Sequence, residues 1–163
     1  MPFKTKMNLK NKIENNYSSK EILVVLSQFL IIVLHFINLN LFTKRLIRSD
    51  TYLINNLGTF FIYVGLIIII LSLKDLKRSA SPMPKPIDNS KLITSGIYSI
   101  ARHPMYYSLI IISLGFLLKS LTLYNLLLTI FLLFIIKIKI GIEEKYLMKR
   151  YTNYKSYKKR LKF

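Results

Sequence analysis

Two polar groupings stand out in a largely aliphatic chain: Arg102-His103-Pro104-Met105-Tyr106-Tyr107, and a later run holding Glu143, Glu144, Lys145, Arg150, Tyr151 and Tyr154. An imidazole exchanges a proton near neutrality, and a guanidinium receives a carboxylate through its fork of N–H donors. Pro104 suits the first turn of a helix, where its missing N–H would have no partner. Arg102 and His103 then stand at a helix N-terminus, whose free N–H groups and dipole favour an anionic group such as a carboxylate. Two adjacent carboxylates in a chain with seven acidic residues invite a cationic ligand. The plainer readings are a helix-start or interface histidine and a row of ion pairs along a solvated helix.

The elements that must position these residues are membrane helices. The chain has 163 residues, 52% of them hydrophobic, yet a formal net charge of +18. That combination is foreign to a soluble domain and requires apolar and basic segments to be segregated. One domain, 1–163, is the natural reading at this length. With no cysteine, neither disulfides nor a thiolate metal site can form, and no metal ligand set is expected. The stretches 22–42 and 52–73 are long enough to span a bilayer. From Met105 onward an apolar run is broken at Lys119-Ser120, which implies a tight helical hairpin of 105–118 and 121–136, the first arm short for a full crossing. The expected fold is therefore an all-α integral membrane protein of about four transmembrane helices. The segment 1–20 is a basic tail without signal-peptide character, 74–104 a loop, and 137–163 a cytosolic C-terminal helix.

Charge sets the expected orientation. Twenty-one of the 25 Lys and Arg residues fall in the N-terminal segment, the 74–104 loop and the segment from Lys137 onward, against Lys44, Arg45, Arg48 and Lys119 on the other side. The positive-inside rule then puts both termini in the cytosol of a multi-pass protein. Flanking of apolar spans, together with anionic headgroups, accounts for the basic residues without nucleic acid as a partner.

Within the loop, Pro82, Pro84 and Pro86 disfavour helix and read as an extended interfacial connector. Gly96, in Leu92-Ile93-Thr94-Ser95-Gly96-Ile97-Tyr98, can adopt a backbone conformation closed to other residues. On the last helix, Glu143, Leu147, Arg150 and Tyr154 share one face by their spacing, with Glu144, Met148 and Tyr151 beside them. His35 lies alone in the first span and reads as a structural residue packed against another helix.

In order and spacing, Leu92 to Tyr98, Arg102-His103-Pro104-Met105-Tyr106, a short apolar hairpin, Glu143-Glu144, and Tyr151-Thr152-Asn153-Tyr154-Lys155-Ser156-Tyr157 followed by Arg160 resemble membrane methyltransferases of the isoprenylcysteine carboxyl methyltransferase and phospholipid methyltransferase superfamily. The resemblance covers about 92–163, with the N-terminal half matching only in character. It implies S-adenosylmethionine as cofactor, held at the cytosolic face between the helix that starts at Pro104 and the C-terminal helix. Gly96, Tyr98, His103, Pro104, Tyr106, Glu143 and Glu144 would surround it. Tyr154, Tyr157 and Arg160 would close the pocket or meet the substrate, and His103, Arg102 and Arg160 would be the catalytic groups. The chain departs from the phospholipid branch at Ser95-Gly96-Ile97-Tyr98, where that branch often has Gly-x-Gly, and this points away from that branch.

Such chemistry asks little of side chains, because a sulfonium activates its own methyl group and the protein has to align a nucleophile and exclude water. The expected acceptor is lipophilic: an isoprenoid, a lipid or a lipidated molecule drawn from the bilayer. Two other readings compete, a sterol-like reductase using reduced nicotinamide dinucleotide and a small membrane anchor or assembly protein without catalysis.

Overall fold

In the computed structural model, residues 17–37, 52–87 and 90–161 are described. They form five α-helices: α1 (Ser19–Phe36), α2 (Tyr52–Leu76), α3 (Pro104–Ser120), α4 (Leu123–Arg150) and α5 (Tyr154–Arg160). Two 3-10 turns, Lys77–Ser79 and Gly96–Ser99, lie between α2 and α3.

The packing of α2 on α3 follows from small residues. Gly58, Gly65 and Ser72 recur every seven residues and are the buried positions of α2. On α3, Ser108 and Gly115 answer at the same spacing. A Cβ added to Gly58 would sit 2.7 Å from the Gly115 carbonyl oxygen, and one on Gly65 would sit 2.9 Å from that of Ser108. The two backbones approach closely because small residues face each other along this seam and leave room for side chains such as Ile62 and Ile112 to pack over the glycines, the usual solution where lipid supplies no hydrophobic drive for helix association.

The reverse turn between α3 and α4 is equally specified. Leu121 takes a left-handed conformation at φ 46°, and the Thr122 hydroxyl caps α4 by accepting from the Asn125 N–H. The expected hairpin is present. Its second arm does not stop near 136, however, but continues as one 28-residue helix through Glu143, Glu144 and Arg150. The expected C-terminal helix 137–163 is thus divided: its first half is the end of α4, and an extended Tyr151 (φ −116°, ψ 114°) breaks the chain before α5. Tyr154 consequently does not continue the face of Glu143 and Leu147.

Helix α1 lies along α4, where Ile31 joins Tyr106, Leu128, Leu132 and Ile136 in the apolar core. It starts at Ser19 and ends at Phe36, because Ile37 is extended; 38–42 of the expected first span lie outside the described residues. Polar links reinforce it. His35 Nε2 pairs with the Ser113 hydroxyl at 2.8 Å, which pairs in turn with Thr129 at 2.8 Å. The lone histidine of the first span therefore joins three helices, in line with its structural reading.

The outer surface is inverted relative to a soluble protein. Leu23, Phe29, Phe60, Ile70, Phe131 and Phe134 are exposed, while Ser72, Ser108 and Ser113 are among the most buried side chains. Helices α1, α2 and α4 are long and apolar enough to cross a membrane, and the fold is that of a multi-pass membrane protein. The 17 residues of α3 fall short of that length, reaching about 25 Å against a hydrocarbon core of about 30 Å. Among the described residues, three candidate spans thus stand where about four were expected.

Candidate active site

The basic end of the bundle holds a cleft walled on three sides. One wall is the start of α3 and the turn before it; the opposite wall is the end of α4 with α5. The third wall is the proline-containing segment after α2, with Ser79, Ser81, Met83, Pro84 and Pro86 on the lining. A stretch that reads as a plain connector in sequence is therefore part of the cleft.

Pro104 occupies the first position of α3 and His103 its N-cap, as the sequence suggests. His103 is buried and stacks on Tyr106, ring centroids 5.6 Å apart and planes 17° from parallel. The tyrosine hydroxyl donates to Glu143 Oε2 at 2.6 Å, and His103 Nδ1 lies 3.8 Å from the same oxygen. The next carboxylate, Glu144, is engaged by Arg102, by His103 Nε2 at 3.4 Å and by Lys158 Nζ at 2.5 Å. These partners, His103 foremost, then Lys158 and Arg102, hold the Glu144 carboxyl at about 2, well below the usual carboxylate range, although burial opposes them.

The turn that carries Tyr98 has its own anchor. Gly96 adopts φ +61°, and a Cβ there would collide with the Asp75 carboxylate, which accepts the Ile97 N–H at 2.8 Å. Tyr157 closes the assembly by donating to the Tyr98 carbonyl at 2.6 Å. Burial, reinforced by Glu143, pushes the Tyr98 hydroxyl well up, so it stays protonated. Tyr154 is 1% exposed, and its hydroxyl has no hydrogen-bond partner among the described residues although the side chain lines the cleft. Burial, then the nearby Glu144 charge, raises this hydroxyl too, so it stays protonated and can donate.

Of the residues singled out in sequence, Tyr98, Arg102, His103, Tyr106, Glu143, Tyr154 and Tyr157 line the cleft. Gly96, Pro104 and Glu144 stand behind the lining and shape it. Arg160 is not brought to the cleft; its guanidinium lies 5.8 Å over the Tyr157 ring. Residues missed in sequence are Asp75, Lys158 and Ser90, whose hydroxyl lies 2.9 Å from that of Tyr151 on the cleft lining. Asp75 carried one usable signal, being one of only seven acids and standing among basic residues.

A family model described as phospholipid methyltransferase matches residues 53–154, more than half of the chain. Searches of curated proteins and of solved structures give no match. The matched segment begins at α2, earlier than the resemblance near 92, which is consistent with α2 packing along the length of α3 and supplying Asp75 to anchor the turn that carries Tyr98. It is also reached despite the missing Gly-x-Gly, so that departure does not remove the chain from the phospholipid group. The two carboxylates and the start of α3 that meet around the cleft all lie inside the matched segment, and the chain belongs to the phospholipid methyltransferase family of membrane methyltransferases.

Proposed function

We propose that the protein transfers a methyl group from S-adenosylmethionine to a lipophilic acceptor at the cytosolic face of its membrane. The observation that carries this reading is the meeting, 37 residues apart in sequence, of the Tyr106 hydroxyl and Glu143 on a cleft also lined by Tyr154, whose hydroxyl has no hydrogen-bond partner among the described residues. When bound, S-adenosylmethionine supplies a methyl group on a sulfonium centre with a neutral leaving group.

The donor set suits such a molecule. Glu143 offers a carboxylate to cationic or hydroxyl groups, Tyr154 a donor, and Tyr98 and Tyr106 aromatic surface against which a cation is favoured. Arg102 suits a carboxylate. Gly96 and Pro104 fix the backbone around these groups, and Glu144 holds Arg102 and Lys158 in place as their counter-ion. Tyr157 ties α5 to the Tyr98 turn, with Arg160 stacked behind it. A carboxylate acceptor needs no proton removed, whereas an amine arrives protonated and requires a base, for which His103 is placed beside the cleft.

A lipophilic acceptor is supported by a second feature. An apolar groove lies between the helices deeper in the bundle, lined by residues such as Ile32, Phe36, Leu66, Leu109 and Phe116, and suits an alkyl or isoprenoid chain. The count of basic residues at this end of the bundle supports a cytosolic side for the cleft. The family match supports neither the reductase nor the anchor reading.

Equilibrium binding to the detergent-purified protein tests the proposal. Micromolar affinity for S-adenosylmethionine, lost in His103→Ala and Glu143→Ala, is the expected result. Binding of reduced nicotinamide dinucleotide alone would overturn it.

A further inference from the structure

Lys139 is a charged side chain that the proposed chemistry leaves unused, and its position is costly. It lies on α4 one helical turn before Glu143 and is 2% exposed. Its neighbours Ile136 and Ile140 belong to the apolar core or pack against it. An aliphatic residue would fill such a position at no desolvation penalty, whereas a buried ammonium needs specific partners.

Lys139 has them. Its Nζ donates to Gln28 Oε1 at 2.7 Å, and Gln28 is itself buried on α1. The ammonium also lies over the Tyr106 ring, 5.1 Å from the centroid. That ring stacks on His103 and presents its hydroxyl to Glu143. A continuous chain of contacts therefore runs from Gln28 through Lys139 to Tyr106 and on to the two groups that line the cleft. Helix α1 precedes the segment 53–154 that carries the family match, so Gln28 is contributed from outside it.

We infer that Lys139 is a positioning residue of the cleft, holding Tyr106 and through it Glu143 in register, and that Gln28 makes α1 a working part of the methyl-transfer site. The inference rests on the methyl-transfer reading of that cleft. Lys139 touches neither donor nor acceptor. Its ammonium fixes the plane of the Tyr106 ring by a cation–π contact and keeps positive charge near the Glu143 carboxylate, so that the carboxylate is already oriented when a cationic donor arrives.

The test compares Lys139→Met, Lys139→Arg and the pair Lys139→Met with Gln28→Leu, each in the full chain in detergent. Thermal stability is read beside equilibrium affinity for S-adenosylmethionine. The paired variant replaces a buried polar contact by an apolar one and is expected to unfold at or above the wild-type temperature. Its donor affinity is expected to be lower by about tenfold, with Lys139→Arg recovering most of it. Wild-type affinity in the paired variant would overturn the inference and leave Lys139 and Gln28 as packing residues only. Should the paired variant not fold, Lys139→Met decides with Tyr106→Phe. Equal donor affinity in Tyr106→Phe with and without Lys139→Met supports transmission through Tyr106, and independent, additive losses overturn it. Absence of donor binding in the wild-type protein overturns the methyl-transfer reading itself, a failure distinguishable from the others.

Discussion

The Tyr106 hydroxyl donates to Glu143 at 2.6 Å, joining the first turn of α3 to the end of α4. A hydrogen bond to a charged acceptor contributes about 1.5–3 kcal/mol. Tyr106→Phe keeps the ring and its stacking on His103 but releases the carboxylate. The expected outcome is a loss of stability of about that size, read by denaturation in detergent, with helical circular dichroism unchanged and weaker methyl-donor affinity.

Tyr154→Phe should behave in the opposite way. Its hydroxyl has no partner among the described residues, so removing it takes away no intramolecular bond. Stability is expected to be unchanged or slightly raised, while ligand affinity falls by about tenfold, the size of one lost hydrogen bond. Unchanged affinity in calorimetry would show that the hydroxyl does not meet the ligand.

The glycines of the bundle divide sharply. Gly58→Ala and Gly115→Ala each place a Cβ 2.7 Å from a carbonyl oxygen of the facing helix, and overpacking of this kind costs about 1–3 kcal/mol. Gly141 has nothing within 4 Å of an added Cβ, so Gly141→Ala should leave stability equal or raise it by about 0.5–1 kcal/mol through helix propensity. Thermal unfolding of the three variants side by side reads the contrast.

Stability should also depend on acid pH through Glu144. Its folded-state pKa is about 2 against 4.5 for a free glutamate, so its stabilisation is complete above about pH 4.5 and is lost as the pH falls toward 2. Unfolding followed from pH 6 to pH 2.5 should show this decline in the wild-type protein and a flatter profile in Glu144→Gln.

Much of the site was legible because its residues are chemically conspicuous. Arg102, His103 and Pro104 announce a helix start at a polar rim, and Glu143 with Glu144 stands out among seven acids. The hairpin that brings the two groups together was readable from the break at Lys119-Ser120. The seam of Gly58, Gly65 and Ser72 passed as ordinary membrane helix, since small residues declare a contact only when the facing helix is known. Periodicity also carried the face of Glu143 one residue set too far, to Tyr154, because nothing local announces the extended Tyr151 that ends α4.

Composition and the spacing of charge by themselves determined that this is a helical membrane protein with its polar chemistry at one basic end, because bilayer thickness and charge segregation act on the chain directly. Only the tertiary structure decided which groups meet. It set Asp75 under Gly96, tied Lys158 to Glu144, left the Tyr154 hydroxyl without a hydrogen-bond partner among the described residues and threaded Lys139 to Gln28 on α1. Those pairings span up to 111 residues of sequence and depend on helix rotation and close backbone approach, which no local pattern encodes.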